Sequence, residues 1–250
     1  TARSRGLGDV YKRQGMHPPR PLRIYYCQAE VQYDYLRERV QSLPLDERQI
    51  SVIGSNLFIT SQLRMVLNDH GIDALSRSIA QSFKGKPPDI IAIDPIRNVF
   101  DGGEDGASEN DNNAMMYFLT QRVEKLARKV NPDCGVILVH HTRRMSKKQL
   151  EEDPFQALSG ASSMRGFYTS GMLLFKPDEE QTERHLFFEL RNGASPNKKA
   201  VDKVNDKWIE YEPQNERLTH QKYGAKLDAE RDRKRDVIIQ LIAEEASHGR

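Results

Sequence analysis

Two cysteines in 250 residues, Cys27 and Cys134, leave no material for a disulfide framework, and each sits in an apolar run. A reducing, cytoplasmic compartment is the expectation. No stretch approaches the ~18 consecutive apolar residues of a transmembrane helix, and no charged-then-apolar signal pattern opens the sequence. No membrane partner is expected. Net charge is also scarce: 38 Lys and Arg stand against 36 Asp and Glu, giving +2. Global charge therefore argues for no nucleic-acid partner, and any such contact must come from local segments. Internal repeats are missing too. What remains is a 28.7 kDa chain, 37% hydrophobic and 30% charged. That is room for one large α/β domain with an appendage, or for two small domains.

The ends differ from the middle. Residues 1–14, TARSRGLGDVYKRQ, show neither a strand nor a helix period, and they resemble translated adapter sequence. Residues 1–16 are read as a non-native or disordered leader, the alternative being a basic arm that binds nucleic acid. From Pro213 the composition shifts to charged helix, AKLDAERDRKRDVIIQLIAEEA, and the sequence stops just after an apolar run. Residues 213–250 read as a linker and the start of a truncated C-terminal region, which leaves 17–212 as the core.

Within the core, LRIYYC (22–27), DIIAID (89–94) and CGVILVHH (134–141) are continuous apolar runs of strand length. Helical spacing separates them. Tyr33, Leu36 and Val40 precede Pro44, and Ile72, Leu75, Ile79 and Phe83 precede GKPP. Phe118, Leu119, Val123, Leu126 and Val130 precede Asn131-Pro132. ISVIG (50–54) and NLFIT (56–60) are short strand or loop candidates. DGGEDGASENDNN (101–113) reads as a mobile loop closed by a capping-box spacing between Ser108 and Asp111. GMLLF (171–175), HLFFEL (185–190) and KWIEYE (207–212) are later strands, with Asn192-Gly193 as a turn after the second. The expected fold class is α/β: a mainly parallel, twisted sheet flanked by helices, with antiparallel edge strands.

In a parallel sheet, polar residues at the C-terminal ends of strands face the ligand crevice. Three ends qualify: Glu30 after the first strand, Asp94 at the end of the second, and His140 and His141 after the third. An acid ending an apolar strand is costly to bury alone, so Asp94 is expected to have a partner. Strand alternation lets only one of the two histidines face the crevice. Each residue also has a plainer explanation, Asp94 as a turn starter and Glu30 as a solvated first-turn residue.

IIAIDPIRNVFDGGEDGASENDNN, then VILVHHTRR, then LSGASSMRGFYTSGMLLF resemble, in that order, the RecA-like ATPases that include plasmid RepA-type hexameric replicative helicases. LFFELRNGASP is similar to the K-x-R-N-G-P segment of DnaB-type helicases. The resemblance covers about residues 21–212. It implies that Asp94 holds Mg²⁺ through water and that Glu30 orients and deprotonates the attacking water. It implies that His140 or His141 senses the γ-phosphate, His141 being counted with Asp94 at the nucleotide. Arg191, with Arg165 as second candidate, would reach a neighbouring subunit's phosphates. It further implies ATP as the nucleotide, a homo-oligomer of hexameric-ring type, and single-stranded DNA as a partner. The basic segment 142–153, with Arg143, Arg144, Lys147 and Lys148, is the candidate DNA contact.

Two departures stand out. Glu189 occupies the lysine position of K-x-R-N-G-P. No G-x-x-x-x-G-K-[ST] occurs in the 250 residues, and the single Gly-Lys pair, Gly85-Lys86, runs into Pro87 and Pro88. Proline offers no N–H to a phosphate. N-terminal truncation is the expected reason, and a fragment without turnover the expected consequence. The alternatives are a RadA-like repair or recombination ATPase, a non-catalytic oligomerising DNA-binding scaffold, and a metallohydrolase using Asp94, His140 and His141.

Overall fold

The computed structural model describes residues 18, 20–103, 106–143, 145, 147–158, 163–177, 182–204 and 207–211. By its contacts the chain divides into two compact units, Thr1–Glu210 and Tyr211–Arg250. Residues 1–16, expected to be a leader, and 213–250, expected to be a linker and the start of a further region, lie outside the described residues.

Two of the apolar runs form the centre of the first sheet and the third forms an edge. β1 (Ile24–Gln28) and β3 (Ile90–Asp94) pair in parallel from Ile24 opposite Ile90 to Gln28 opposite Asp94. β2 (Leu57–Ile59) adds in parallel to the far side of β1, and β4 (Gly135–Leu138) to the far side of β3. The order is β2-β1-β3-β4. A strand covered on both faces needs no polar alternation, and Tyr25, Cys27, Ile91 and Ile93 are fully or almost fully buried.

Helices supply the cover. α1 (Tyr33–Gln41) follows β1, and α3 (Asp69–Ser82) buries Ile72, Leu75 and Ile79 on one stripe. α4 (Asn112–Tyr117), a π-helical stretch (Phe118–Val123) and α5 (Glu124–Val130) follow one another, burying Met115, Phe118, Leu119, Val123 and Leu126. These side chains form one hydrophobic core with Tyr25, Cys27, Ile91 and Ile93.

The late strands hydrogen-bond among themselves. β5 (Ser170–Phe175), β6 (Arg184–Leu190), β7 (Lys199–Val204) and β8 (Lys207–Tyr211) form a second four-stranded sheet in chain order. β5–β6 and β6–β7 are antiparallel. The mixed α/β class read from the sequence is the class observed, with the antiparallel strands gathered into their own ladder.

Several local expectations change. ISVIG lies in α2 (Glu47–Asn56), because Asp46 and Gln49 close a reciprocal capping box. Such a cap contributes about 1 kcal/mol and outweighs the β-branched residues behind it. At the start of α4 the cap is Asp111 itself, accepting from the N–H groups of Asn113 and Ala114. Ser108 takes no part in it. The acidic loop is also tied down, since Arg122 binds Asp101 at 2.6 Å and Arg97 meets Glu109 at 3.4 Å. The basic segment contains α6 (Lys147–Glu152), and the small-residue run ends in α7 (Ser163–Phe167).

Candidate active-site edge

Parallel pairing brings the chosen strand ends to one edge. The N–H of Ala29 donates to the Asp94 carbonyl at 2.7 Å, so β1 and β3 stay in register to their last residue. The N–H of Val139 donates to the Ile93 carbonyl at 2.9 Å, and that of Ile96 to the Val139 carbonyl, which carries β4 past the same point. Glu30, Asp94 and the His140-His141 pair therefore leave three adjacent strands at their C-terminal ends.

Of the two histidines, His141 faces Glu30. Its Nε2 stands 3.9 Å from Glu30 Oε2, with both side chains about half exposed. The ring nitrogens of His140 are shielded from solvent. The two side chains thus differ, His141 being exposed beside Glu30 and the ring nitrogens of His140 buried.

Asp94 has the partner that its burial demands. The hydroxyl of Tyr26 donates to its Oδ2 across the β1–β3 pair. Burial, and then this bond, raise the Tyr26 phenol's pKa well above its usual value, so it remains a donor. The sequence carried a faint signal for this contact, a tyrosine inside the apolar run next to the acid. Gln28, opposite Asp94, is 2% exposed, and its N–H donates to Thr60 Oγ1 on the other side of β1. Neither Glu30 nor Asp94 has a lysine or arginine ion pair among the described residues. Such carboxylates suit a hydrated divalent cation, which needs one or two of them and retains its waters. No group of three or more His, Cys, Asp or Glu side chains among the described residues could hold a metal directly. That removes the geometric support for the metallohydrolase alternative.

Among the described residues, the single Gly-Lys pair does not reach this edge. Gly85-Lys86 lies between α3 and the start of β3, at the opposite end of the strand from Asp94. Pro87 and Pro88 offer no N–H groups there.

The two arginines lie together at one cavity. Arg165 on α7 is engaged within its own chain. Its Nε and Nη2 donate to the Glu189 carboxylate at 3.1 and 2.8 Å, and its Nη1 to Asp153 at 2.6 Å. These hydrogen bonds push its pKa further up. Arg165 thus sits on a helix with its guanidinium clamped. Arg191 follows β6, is exposed, and its Nη2 donates to the carbonyl of Gly166. Both arginines line a cavity of about 410 Å³ with Tyr168, Glu189 and Leu190. In the basic segment, Arg143 donates its N–H to the Ala157 carbonyl and its Nε to the Gln156 carbonyl. Arg144 and the side chains of Lys147 and Lys148 lie outside what the structure describes.

The sequence matches the AAA-domain family over residues 5–147, more than half of the chain. The chain belongs to that family. No curated protein matches it. Among solved structures, an isolated ATPase domain is 13% identical with a TM-score of 0.52, over 76% of this AAA-domain chain and 74% of its own. At that identity the likeness shows the fold alone, a RecA-like α/β core. A KaiC-like protein from the hyperthermophilic archaeon Pyrococcus horikoshii OT3 is 15% identical over 76% of each chain, with a TM-score of 0.44. No helix among the described residues is long and apolar enough to cross a membrane.

Proposed function

We propose that this AAA-domain chain carries the hydrolytic edge of an ATP-driven DNA motor of the RepA/DnaB-like replicative helicase type. The observation behind this reading is the meeting of Glu30, Asp94 and His141 at the C-terminal ends of three adjacent parallel strands. Glu30 is the base that orients and deprotonates the attacking water. His141, within reach of Glu30, senses the terminal phosphate. Asp94, steadied by Tyr26, is the residue that would hold a hydrated Mg²⁺, which when bound would supply neutralisation of charge on the phosphates. The same reading makes the working form a homo-oligomeric ring, hexameric by resemblance, on single-stranded DNA. Arg191 serves the neighbouring subunit's site, since Arg165 is already committed to two carboxylates in its own chain.

A second reading, a scaffold that oligomerises or binds DNA without turnover, is favoured by the missing phosphate-binding loop. The source DNA upstream of the Gly15 codon separates the two. The motor reading expects an in-frame G-x-x-x-x-G-K-[ST] there, and an in-frame stop codon favours the scaffold. For the 250 residues alone, no ATP turnover is expected. Robust hydrolysis that Asp94→Ala abolishes would show that this chain binds phosphate by other means.

A further inference from the structure

Glu189 stands where the resemblance places a lysine, and its surroundings account for the change. Its carboxylate faces the Arg165 guanidinium through two parallel hydrogen bonds of 3.1 and 2.8 Å. A lysine there would put two cations against each other. The third contact of the guanidinium, 2.6 Å to Asp153, leads elsewhere in the chain. Asp153 directly follows α6 and closes the basic segment 142–153. Glu189 lies two residues before Arg191, and both line the same cavity. One planar fork thus joins the end of the basic segment to the strand that leads into Arg191.

The neighbouring contacts make this junction stiff. Phe155 lies under the Arg165 guanidinium, 6.0 Å from its centre. The Arg191 N–H donates to the Thr169 carbonyl at 2.9 Å, and its guanidinium reaches the Gly166 carbonyl on α7. On its other side, α7 is fixed to the parallel-sheet unit. The N–H of Ser163 donates to Asn112 Oδ1 at 3.1 Å, and Met164 is part of the main core. A displacement of Asp153 has little slack to absorb it before it reaches Glu189.

We propose that Arg165 is a positioning residue that couples the basic segment to Arg191, transmitting occupancy of that segment by single-stranded DNA to the end of β6. This inference rests on the reading above, in which the segment contacts DNA and Arg191 acts in trans. Arg165 performs the transfer because its fork holds two carboxylates at once, which a single point charge does less well.

The test uses the 250-residue chain and a fluorescein-labelled oligothymidylate. Anisotropy reports binding, and hydrogen–deuterium exchange reads the peptides spanning 143–157 and 184–191. In the wild type, the oligonucleotide should slow exchange in both, by about fivefold or more in 184–191. In Arg165→Gln, affinity and protection of 143–157 should persist while the effect on 184–191 disappears. Glu189→Gln cuts the arm that lies outside the basic segment and should do the same. It decides the matter if Arg165→Gln fails to fold. Loss of stability alone would raise exchange with and without DNA, and would not remove the difference between the two states. Wild-type binding that protects only 143–157, or propagation that survives Glu189→Gln, overturns the coupling and leaves the DNA reading standing. A wild type that does not bind the oligonucleotide overturns the DNA reading and the coupling together.

Discussion

The parallel and antiparallel sheets of this chain treat charge in opposite ways. At the C-terminal edge of β1-β3-β4, Glu30 and Asp94 meet a histidine and a phenol but no lysine or arginine ion pair among the described residues. Beside β5-β6, Arg165 is held by two carboxylates and Arg191 by a carbonyl. On the proposed function this contrast has a reason: a carboxylate that serves a hydrated cation and a water cannot be spent on a guanidinium, whereas a residue that only fixes geometry can be saturated. The sheets also differ in cover, the first being packed on a large continuous core and the second on the cluster of Leu150, Phe155, Ala157 and Leu173.

The difference in cover gives the largest expected effects. Phe118 is fully buried in the main core, and Phe118→Ala should cost about 3–5 kcal/mol in urea unfolding. Leu173→Ala, in the small cluster, should fall toward the lower end of about 2–5 kcal/mol. A reversed order would mean that the antiparallel sheet, not the parallel one, dominates stability.

A smaller effect is expected at Gly171, which pairs with Glu189 across β5-β6. A Cβ there would come within 2.7–2.9 Å of the Phe155 and Tyr168 rings, beside Arg165. Gly171→Ala should cost about 1–3 kcal/mol. An unchanged melting temperature would show that the arginine junction has more room than its geometry indicates.

The smallest effect belongs to the opposite end of the parallel sheet, where a carboxylate is saturated. Asp89 accepts from Arg20 at 2.9 and 3.0 Å and from the N–H of Arg23 at 2.7 Å. The Arg20 bonds above all lower its pKa to about 2. Its unfolded value is about 3.9, so its contribution is complete above about pH 4 and is lost as pH falls toward 2. Asp89→Asn should cost about 1–2 kcal/mol at neutral pH and flatten the acid limb of stability between pH 4 and 2. An acid limb as steep as the wild type's would remove Asp89 from the account.

The sequence was most legible where physics is local and repetitive. Continuous apolar runs identified β1, β3 and β4, and 3–4 spacing identified α1, α3 and the helical stretch from 112 to 130. It was least legible where a single polar contact decides. A capping box turned ISVIG from strand to helix, and small residues concealed α7. KAVDKV alternates too weakly to announce β7. At the candidate site, parallel strand order sufficed to gather Glu30, Asp94 and the histidines at one edge. The hydrogen bond from Tyr26 to Asp94 and the clamp on Arg165 depend on contacts between distant segments, which no spacing rule encodes. Glu189 looked like a defect in the motif until Arg165 was found opposite it.

The central claim is that Asp94 and Arg191 act in one hydrolytic reaction on two subunits. Its most direct measurement is ATP hydrolysis by the protein encoded in the longest reading frame containing this chain, assembled with Mg²⁺. Asp94→Ala and Arg191→Ala should each lower turnover by ~10²-fold or more, with Arg191→Ala sparing nucleotide binding. Mixing the two variants should restore partial activity, because an intact Asp94 site then meets a neighbour's intact arginine. Undiminished hydrolysis in Asp94→Ala, or no recovery in mixed assemblies shown to form, would contradict the account.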